Sequence, residues 1–184
     1  RDLADAAPPE ARPSLNDLVL RAVALAAAER PDVVSRIDGD ALVAPARIDV
    51  GVAVALERGL MVPVVRDVPG LSVGQIAARV RDLAARCRDG SITPPELEGS
   101  VVTVSNLGMY GVDRFAAIVN PPEAAILAVG RARPAPVAVD GRVVVRDVMT
   151  LTLSVDHRVV SGAEGATFLG RVAELLERPH ALVL

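Results

Sequence analysis

The fold prediction for this chain starts from Thr150–Glu177, which reads TLTLSVDHRVVSGAEGATFLGRVAELLE. Residues Met149–Val155 alternate between apolar and polar side chains over most of their length, which is typical of a half-buried β-strand. Ser161, followed three residues later by Glu164, is a capping box and predicts the start of a helix over Gly162–Glu177. Its predicted inward-facing residues are Leu169, Val172, Ala173 and Leu176. The stretch therefore predicts a strand, a corner and a helix in direct succession.

The same two patterns alternate through the rest of the chain. Apolar residues at helical spacing predict helices over Ser14–Glu29 and Ser72–Arg88, and Asp38-Gly39-Asp40 and Asp140-Gly141 predict hairpin turns. Short strands are predicted between these features, with Pro63 indicating an edge strand or a bulge. The mixture predicts an α+β fold, with a mixed, largely antiparallel sheet and helices packed on one side. The predicted strands are Val33–Ile37, Ala41–Ala44, Ile48–Leu56, Met61–Val65, Val101–Ser105, Ala124–Val129, Val137–Val139 and Val143–Val145.

Composition narrows the possible classes of protein. The 184 residues are 51% hydrophobic and 2% aromatic, which predicts one domain, residues 1–184, with a core of aliphatic side chains and alanine. The net charge of −3 and scattered arginines predict no nucleic-acid surface, and no apolar run is long enough to predict a membrane span. Residues 1–13 read as a helix end and a proline-rich link.

Two residue types exclude further chemistry. All 20 basic residues are arginines, so this chain cannot carry a Schiff-base lysine or a lipoylated lysine. Cys87 is the single cysteine, which predicts neither a disulfide framework nor a thiolate metal cluster, and it reads as a small core residue. We expect no metal and a bacterial cytoplasmic location.

His157, one of two histidines, lies at the corner between the predicted strand and helix. An unperturbed imidazole has a pKa near 6.5, so its neutral form can accept a proton from a thiol at pH 7. The residues alone leave open whether His157 is catalytic or a structural histidine. They also leave open whether Ser161 is a helix cap, the interpretation its spacing favours, or a catalytic serine. His180, close to the end of the sequence, reads as a surface residue.

Five segments carry a family resemblance. On them the chain resembles the catalytic domain of the dihydrolipoamide acyltransferases, the core components of 2-oxoacid dehydrogenase complexes. That family shares its fold with chloramphenicol acetyltransferase, so the resemblance implies the same two-layer sandwich. The segments, in order along the chain, are Ile48–Val54, Gly59–Val65, Thr103–Gly111, Ile118–Leu127 and Leu153–Val160.

The resemblance implies a reaction and its residues. An acyl group, in the first place acetyl as in a pyruvate dehydrogenase complex, moves between dihydrolipoamide and coenzyme A. His157 matches the family's general base, and Ser105 matches the residue that donates a hydrogen bond to the oxyanion. Coenzyme A would bind at Ser105, Asn106, Leu107 and Gly108, and the lipoyl group would arrive on a separate domain.

The resemblance also implies an assembly. The family forms homotrimers in which His157 of one chain would face Ser105 of the next. Trimers of the family build larger hollow cores, and the apolar tail Leu182, Val183 and Leu184 suits that contact. The implied partners are the decarboxylase and dehydrogenase components of the complex and the lipoyl domain.

This chain departs from the family pattern at Ser161, where the family has aspartate or asparagine. The family pairs that acid with an arginine from an N-terminal segment, which we expect to be absent from an N-terminally truncated core fragment. Serine is also a good helix cap, so the local geometry should survive the change. Two alternatives to the acyltransferase therefore stand: a catalytically weak scaffold of the same complex, and an acetyltransferase acting on a small molecule.

Overall fold

The computed structural model describes residues 13–182. The predicted helix end and proline-rich link of residues 1–13 lie outside this range except for Pro13. Within residues 13–182 three α-helices form one layer: α1 (Leu15–Glu29), α2 (Val73–Asp89) and α3 (Gly162–Glu177). Each begins at a serine whose hydroxyl accepts a hydrogen bond from the first turn, while the side chain three residues later bonds back to the serine N–H. The three predicted helices and the predicted cap at Ser161 are confirmed.

Eleven strands are found in the described part of the chain, and most are short. A five-stranded sheet has the order β11-β8-β7-β3-β6, and three separate two-stranded ribbons accompany it. Asp140 and Gly141, both with positive φ, make the predicted turn between the two longest strands. The strands are β1 (Arg36–Asp38), β2 (Ala41–Val43), β3 (Val50–Val52), β4 (Val54–Ala55), β5 (Leu60–Met61), β6 (Val64–Val65), β7 (Val102–Asn106), β8 (Ala125–Val129), β9 (Arg133–Val139), β10 (Arg142–Val148) and β11 (Leu151–Val155).

The centre of the main sheet is parallel. Strand β7 pairs in parallel with both β3 and β8, whereas β11 and β6 pair antiparallel at the two edges. Hairpin turns in a sequence indicate antiparallel neighbours only, because parallel neighbours need a long crossover connection. The fold class and the largely antiparallel pairing are confirmed. The parallel pairing at the centre was not predicted, because no short sequence pattern indicates it.

Three predicted strands differ from the structure. Met61–Val65 is interrupted at Val62 and Pro63, so that Met61 belongs to β5 while Val64 and Val65 form β6 in the main sheet. Ile48–Leu56 is split at Ala53, because β3 joins the main sheet while β4 leaves it to pair with β5. Val33–Ile37 begins with a 3₁₀ turn over Pro31–Val34, and only its last two residues belong to β1. Strand β6, which follows Pro63, lies at the sheet edge as predicted.

Helix α1 lies between α2 and α3 and is buried on most of its surface. The inward face of α3 differs from the prediction. Phe168, Val172 and Leu175 are buried, whereas Leu169 and Leu176 are only half-buried against the core. Two apolar rows run side by side on this helix, and the phenylalanine, the largest side chain, sets which row enters the core. None of the helices in residues 13–182 has the length and apolar character needed to cross a membrane.

Candidate active site

The histidine corner is held by backbone hydrogen bonds. Directly after β11, the Asp156 N–H donates to the Ala124 carbonyl oxygen at 2.8 Å. The Asp156 carbonyl oxygen in turn accepts from the N–H groups of Val159 and Val160 at 2.9 and 3.0 Å. His157 lies within this closed turn and is exposed. The corner therefore presents an imidazole to solvent on a fixed backbone.

Asp156, the residue before His157, forms an ion pair with Arg158. Its carboxylate accepts from the Arg158 guanidinium at 2.6 Å and from the Arg158 N–H at 3.0 Å. These bonds, first the side-chain one, lower the pKa of Asp156 to about 2. The aspartate is consequently ionised at any physiological pH.

Ser161 is the helix cap that its spacing predicts. Its hydroxyl donates to Glu164 Oε2 at 2.6 Å and accepts from the Glu164 N–H at 3.4 Å, while its own N–H donates to the same carboxylate at 2.8 Å. Hydrogen bonding from Ser161 lowers the pKa of Glu164 below its ordinary value. The hydroxyl is thus directed at its own helix.

Ser105 is half-buried near the carboxyl end of β7 and is followed by a tight loop. Asn106 Oδ1 accepts from the Gly108 N–H at 2.9 Å, and its amide nitrogen donates to Asn16 on α1 at 3.2 Å. A Cβ at Gly108 would lie only 2.9 Å from Arg131 Cα, so this position accepts glycine alone without rearrangement. The Asn106 side chain fixes the loop to the helix layer.

Within one chain, Ser105 and His157 are far apart. Strands β7 and β8 run parallel and β11 runs opposite to them, so the carboxyl ends of β7 and β11 point in opposite directions along the strands. Ser105 is level with Ala128, which is level with Thr152, five residues before His157. With ~3.3 Å per residue and ~4.8 Å between strands, the Cα atoms of the two residues are roughly 15–20 Å apart.

A buried polar cluster, missed by the sequence reasoning, lies beside the corner. Glu123 is 5% exposed, and its Oε1 accepts from the Ser100 hydroxyl and, at 2.8 Å, from the Thr103 hydroxyl. Burial raises the pKa of Glu123, and its Oε2 is buried with no hydrogen-bond partner among residues 13–182. The one signal in the sequence was an acidic residue directly before the apolar run that forms β8.

Of the remaining predicted residues, Cys87 and His180 lie as expected and Leu182 does not. Cys87 is buried at 3% exposure, and burial raises the pKa of its thiol, as a core position requires. His180 is exposed. Leu182 is buried in its own chain, which corrects its predicted role as a contact to a neighbour, and Val183 and Leu184 lie outside the described residues. Among residues 13–182, no histidine, cysteine and carboxylate groups cluster in a way that could hold a metal ion.

Comparison with known proteins identifies the family. Residues 1–184 match the family described as 2-oxoacid dehydrogenases acyltransferase (catalytic domain), and the chain belongs to it. The acetyltransferase component of the pyruvate dehydrogenase complex of Zymomonas mobilis is 37% identical over 170 residues, 92% of this chain and 39% of the relative. The succinyltransferase component of the 2-oxoglutarate dehydrogenase complex of Rickettsia felis is 39% identical over 154 residues, 84% of this chain and 38% of the relative. The chain thus spans about two fifths of the length of these curated relatives.

Solved structures agree with the family and the fold. The cubic core of a pyruvate dehydrogenase multienzyme complex superimposes with a TM-score of 0.91 at 36% identity, over 100% of this chain and 75% of that one. A dihydrolipoamide acetyltransferase from Azotobacter vinelandii, studied for the roles of a serine, a histidine and an asparagine in its catalytic mechanism, gives the same values. Chloramphenicol acetyltransferase superimposes with a TM-score of 0.56 at 18% identity, over 89% of this chain and 78% of that one, which shows the shared fold.

Proposed function

We propose that this chain is an acyltransferase that moves an acetyl group between dihydrolipoamide and coenzyme A, with His157 as general base and Ser105 as oxyanion donor. The observation that carries the proposal is a matched spacing. In the Azotobacter acetyltransferase the serine and histidine are 52 residues apart, and the asparagine follows the histidine by four. Ser105, His157 and Ser161 have the same two intervals.

The geometry suits the chemistry. The exposed imidazole of His157 takes the proton of the attacking thiol, and the sulfur attacks the thioester carbonyl carbon. The Ser105 hydroxyl donates a hydrogen bond to the carbonyl oxygen as it becomes negative. When the intermediate collapses, the carbon–sulfur bond to the leaving thiol breaks, and the imidazolium returns the proton to that sulfur.

The separation of the two residues supports a site shared between chains. Because the two residues lie towards opposite ends of the strands, a complete site needs His157 of one chain and Ser105 of a neighbour. A homotrimer provides three such interfaces by rotation. The core that these trimers would form, and its lipoyl domain, decarboxylase and dehydrogenase partners, are proposed from the complexes that the relatives belong to. Coenzyme A would bind on the Ser105 side, and the proposed location is the bacterial cytoplasm.

A transfer assay with acetyl-coenzyme A and free dihydrolipoamide tests the proposal, with release of coenzyme A thiol as the readout. His157→Ala should lower kcat at least about 100-fold, the usual contribution of a general base. The other histidine is the matched control: His180→Ala should leave kcat within about twofold, because His180 is an exposed residue of the Pro179–Leu182 turn. Loss of less than about fivefold in His157→Ala would overturn the mechanism.

The second residue has its own control. Ser105→Ala should lower kcat roughly 100- to 1000-fold with little change in KM, because the hydrogen bond forms in the transition state. Ser154 is also a half-buried strand serine, in β11, and Ser154→Ala should leave kcat unchanged. A rise in KM alone at Ser105 would contradict an oxyanion role.

One observation favours a second function, a scaffold with little activity. The Ser161 hydroxyl is occupied by Glu164 and its own helix, at a position where the Azotobacter enzyme has an asparagine of its catalytic study. Under this alternative, the chain assembles as a core but shows no transfer above background, and Ser161→Asn restores none. Measurable turnover that depends on His157 excludes it.

A further inference from the structure

We propose that Glu123 is a positioning residue for this site, because its carboxylate joins the strand that carries Ser105 to the backbone that holds His157. The inference rests on the proposed function. Neither half of the site touches Glu123 itself. Its effect would therefore pass through β7 on one side and through the Asp156 backbone on the other.

The cluster is built into the sheet. Thr103 and Ser100 both donate to one carboxylate oxygen, and Thr103 precedes Ser105 by two residues on the same face of β7. Gly51 on β3 lies opposite Thr103, and a Cβ there would come within 2.6 Å of the Thr103 hydroxyl. The absence of a side chain at Gly51 thus makes the space that the hydroxyl and carboxylate occupy.

The other connection is through the backbone. Glu123 directly precedes Ala124, whose carbonyl oxygen accepts the Asp156 N–H at the root of the histidine turn. A carboxylate fixed by two hydroxyls fixes the start of β8, and hence the acceptor on which that turn rests. Burying such a group costs free energy, and the unpartnered Oε2 adds to that cost. A purely structural contact at this place would be served as well by an apolar side chain.

Two pairs of variants separate the hydrogen bonds from bulk packing. Glu123→Leu removes the acceptor, whereas Glu123→Gln keeps Oε1 for both hydroxyls. Thr103→Val removes one donor at constant shape, whereas Thr103→Ser keeps it. Ser35→Ala is the remote control, because Ser35 is also buried and hydrogen-bonded, to the Pro31 carbonyl oxygen. Using two independent positions keeps the test informative if one variant does not fold.

Two measurements are made on the assembled protein. Amide hydrogen exchange at Asp156, Val159 and Val160 should accelerate about tenfold in Glu123→Leu and Thr103→Val and stay unchanged in the two conservative variants and in Ser35→Ala. In the transfer assay, kcat should fall about tenfold in the same two variants with KM within about twofold, because misplacement acts on the reacting geometry. Both effects should be rescued by Gln at 123 and by Ser at 103.

The outcomes are distinguishable. Unchanged exchange at the corner overturns the positioning role whatever the activity. Faster exchange with unchanged kcat also overturns it, because the cluster would then hold the fold and not the site. If the parent protein shows no transfer at all, the proposed function fails, the positioning role fails with it, and the exchange data assign the cluster to the fold alone.

Discussion

Two inactive variants should restore each other when they share an assembly. Ser105→Ala removes the oxyanion donor but keeps the histidine, and His157→Ala does the reverse. Because about 15–20 Å separates these residues within one chain, neither variant can repair its own site. An interface at which a Ser105→Ala chain supplies His157 and a His157→Ala chain supplies Ser105 contains both groups. Mixed assemblies should therefore regain turnover.

The size of the effect follows from symmetry. In a trimer with head-to-tail interfaces and random mixing of equal amounts, roughly one interface in four has the productive order of chains. Co-expressed variants should thus show about a quarter of the parent kcat per chain, against about 1% or less for either variant alone. The assay is coenzyme A thiol release, with native mass spectrometry to confirm that both variants occupy the same oligomer.

A matched control tests whether activity returns merely because both variants are present in the same solution. The same two variants, assembled separately and combined only in the assay, should remain as inactive as each alone. If mixed oligomers are present and their activity does not exceed that of the separate variants, the shared site is wrong. Ser105 and His157 would then have to act in different sites or not at all.

Three further outcomes can be measured. Ser161→Ala should lower the free energy of unfolding by about 1 kcal/mol in urea titrations, because it removes the side-chain oxygen that caps α3. Ser161→Asn keeps such an oxygen and should retain the stability of the parent, so equal stability of the two variants would contradict the cap. Hydrogen bonds from an arginine and a threonine lower the pKa of Glu96 from 4.5 to about 2, so its stabilisation is complete above pH 4.5 and is lost as the pH falls towards 2. Glu96→Gln should flatten the dependence of unfolding free energy on pH in that window and nowhere else. Gly130→Ala should cost about 2–3 kcal/mol, because a Cβ there would overlap the Asp113 carbonyl oxygen, whereas Gly170→Ala on the open face of α3 should be neutral or stabilising.

Local rules account for most of what could be predicted. All three helices of residues 13–182 begin at a serine with a reciprocal residue three positions later, and two hairpins turn at Gly39-Asp40 and Asp140-Gly141, because these features depend on a few neighbouring residues. The predictions failed for features that depend on contacts between segments far apart in the sequence. The choice between two apolar rows on α3 depends on where Phe168 fits, and the split at Ala53 depends on which partner each half of the segment finds.

The candidate site shows the same division more sharply. A histidine and a serine were predicted from segments that lie in register with a family, and each has the expected local setting: a turn after β11 and the end of β7. Their relation could not follow from spacing, since it depends on β7 and β11 running in opposite directions, and a parallel strand centre leaves no local signal. The opposite directions of those two strands keep Ser105 and His157 apart within one chain, which is the reason for proposing a site shared between chains. The Glu123 cluster was not predicted for the same reason. Its two hydroxyl partners are 20 and 23 residues away in the sequence, and only the folded sheet brings them to one carboxylate.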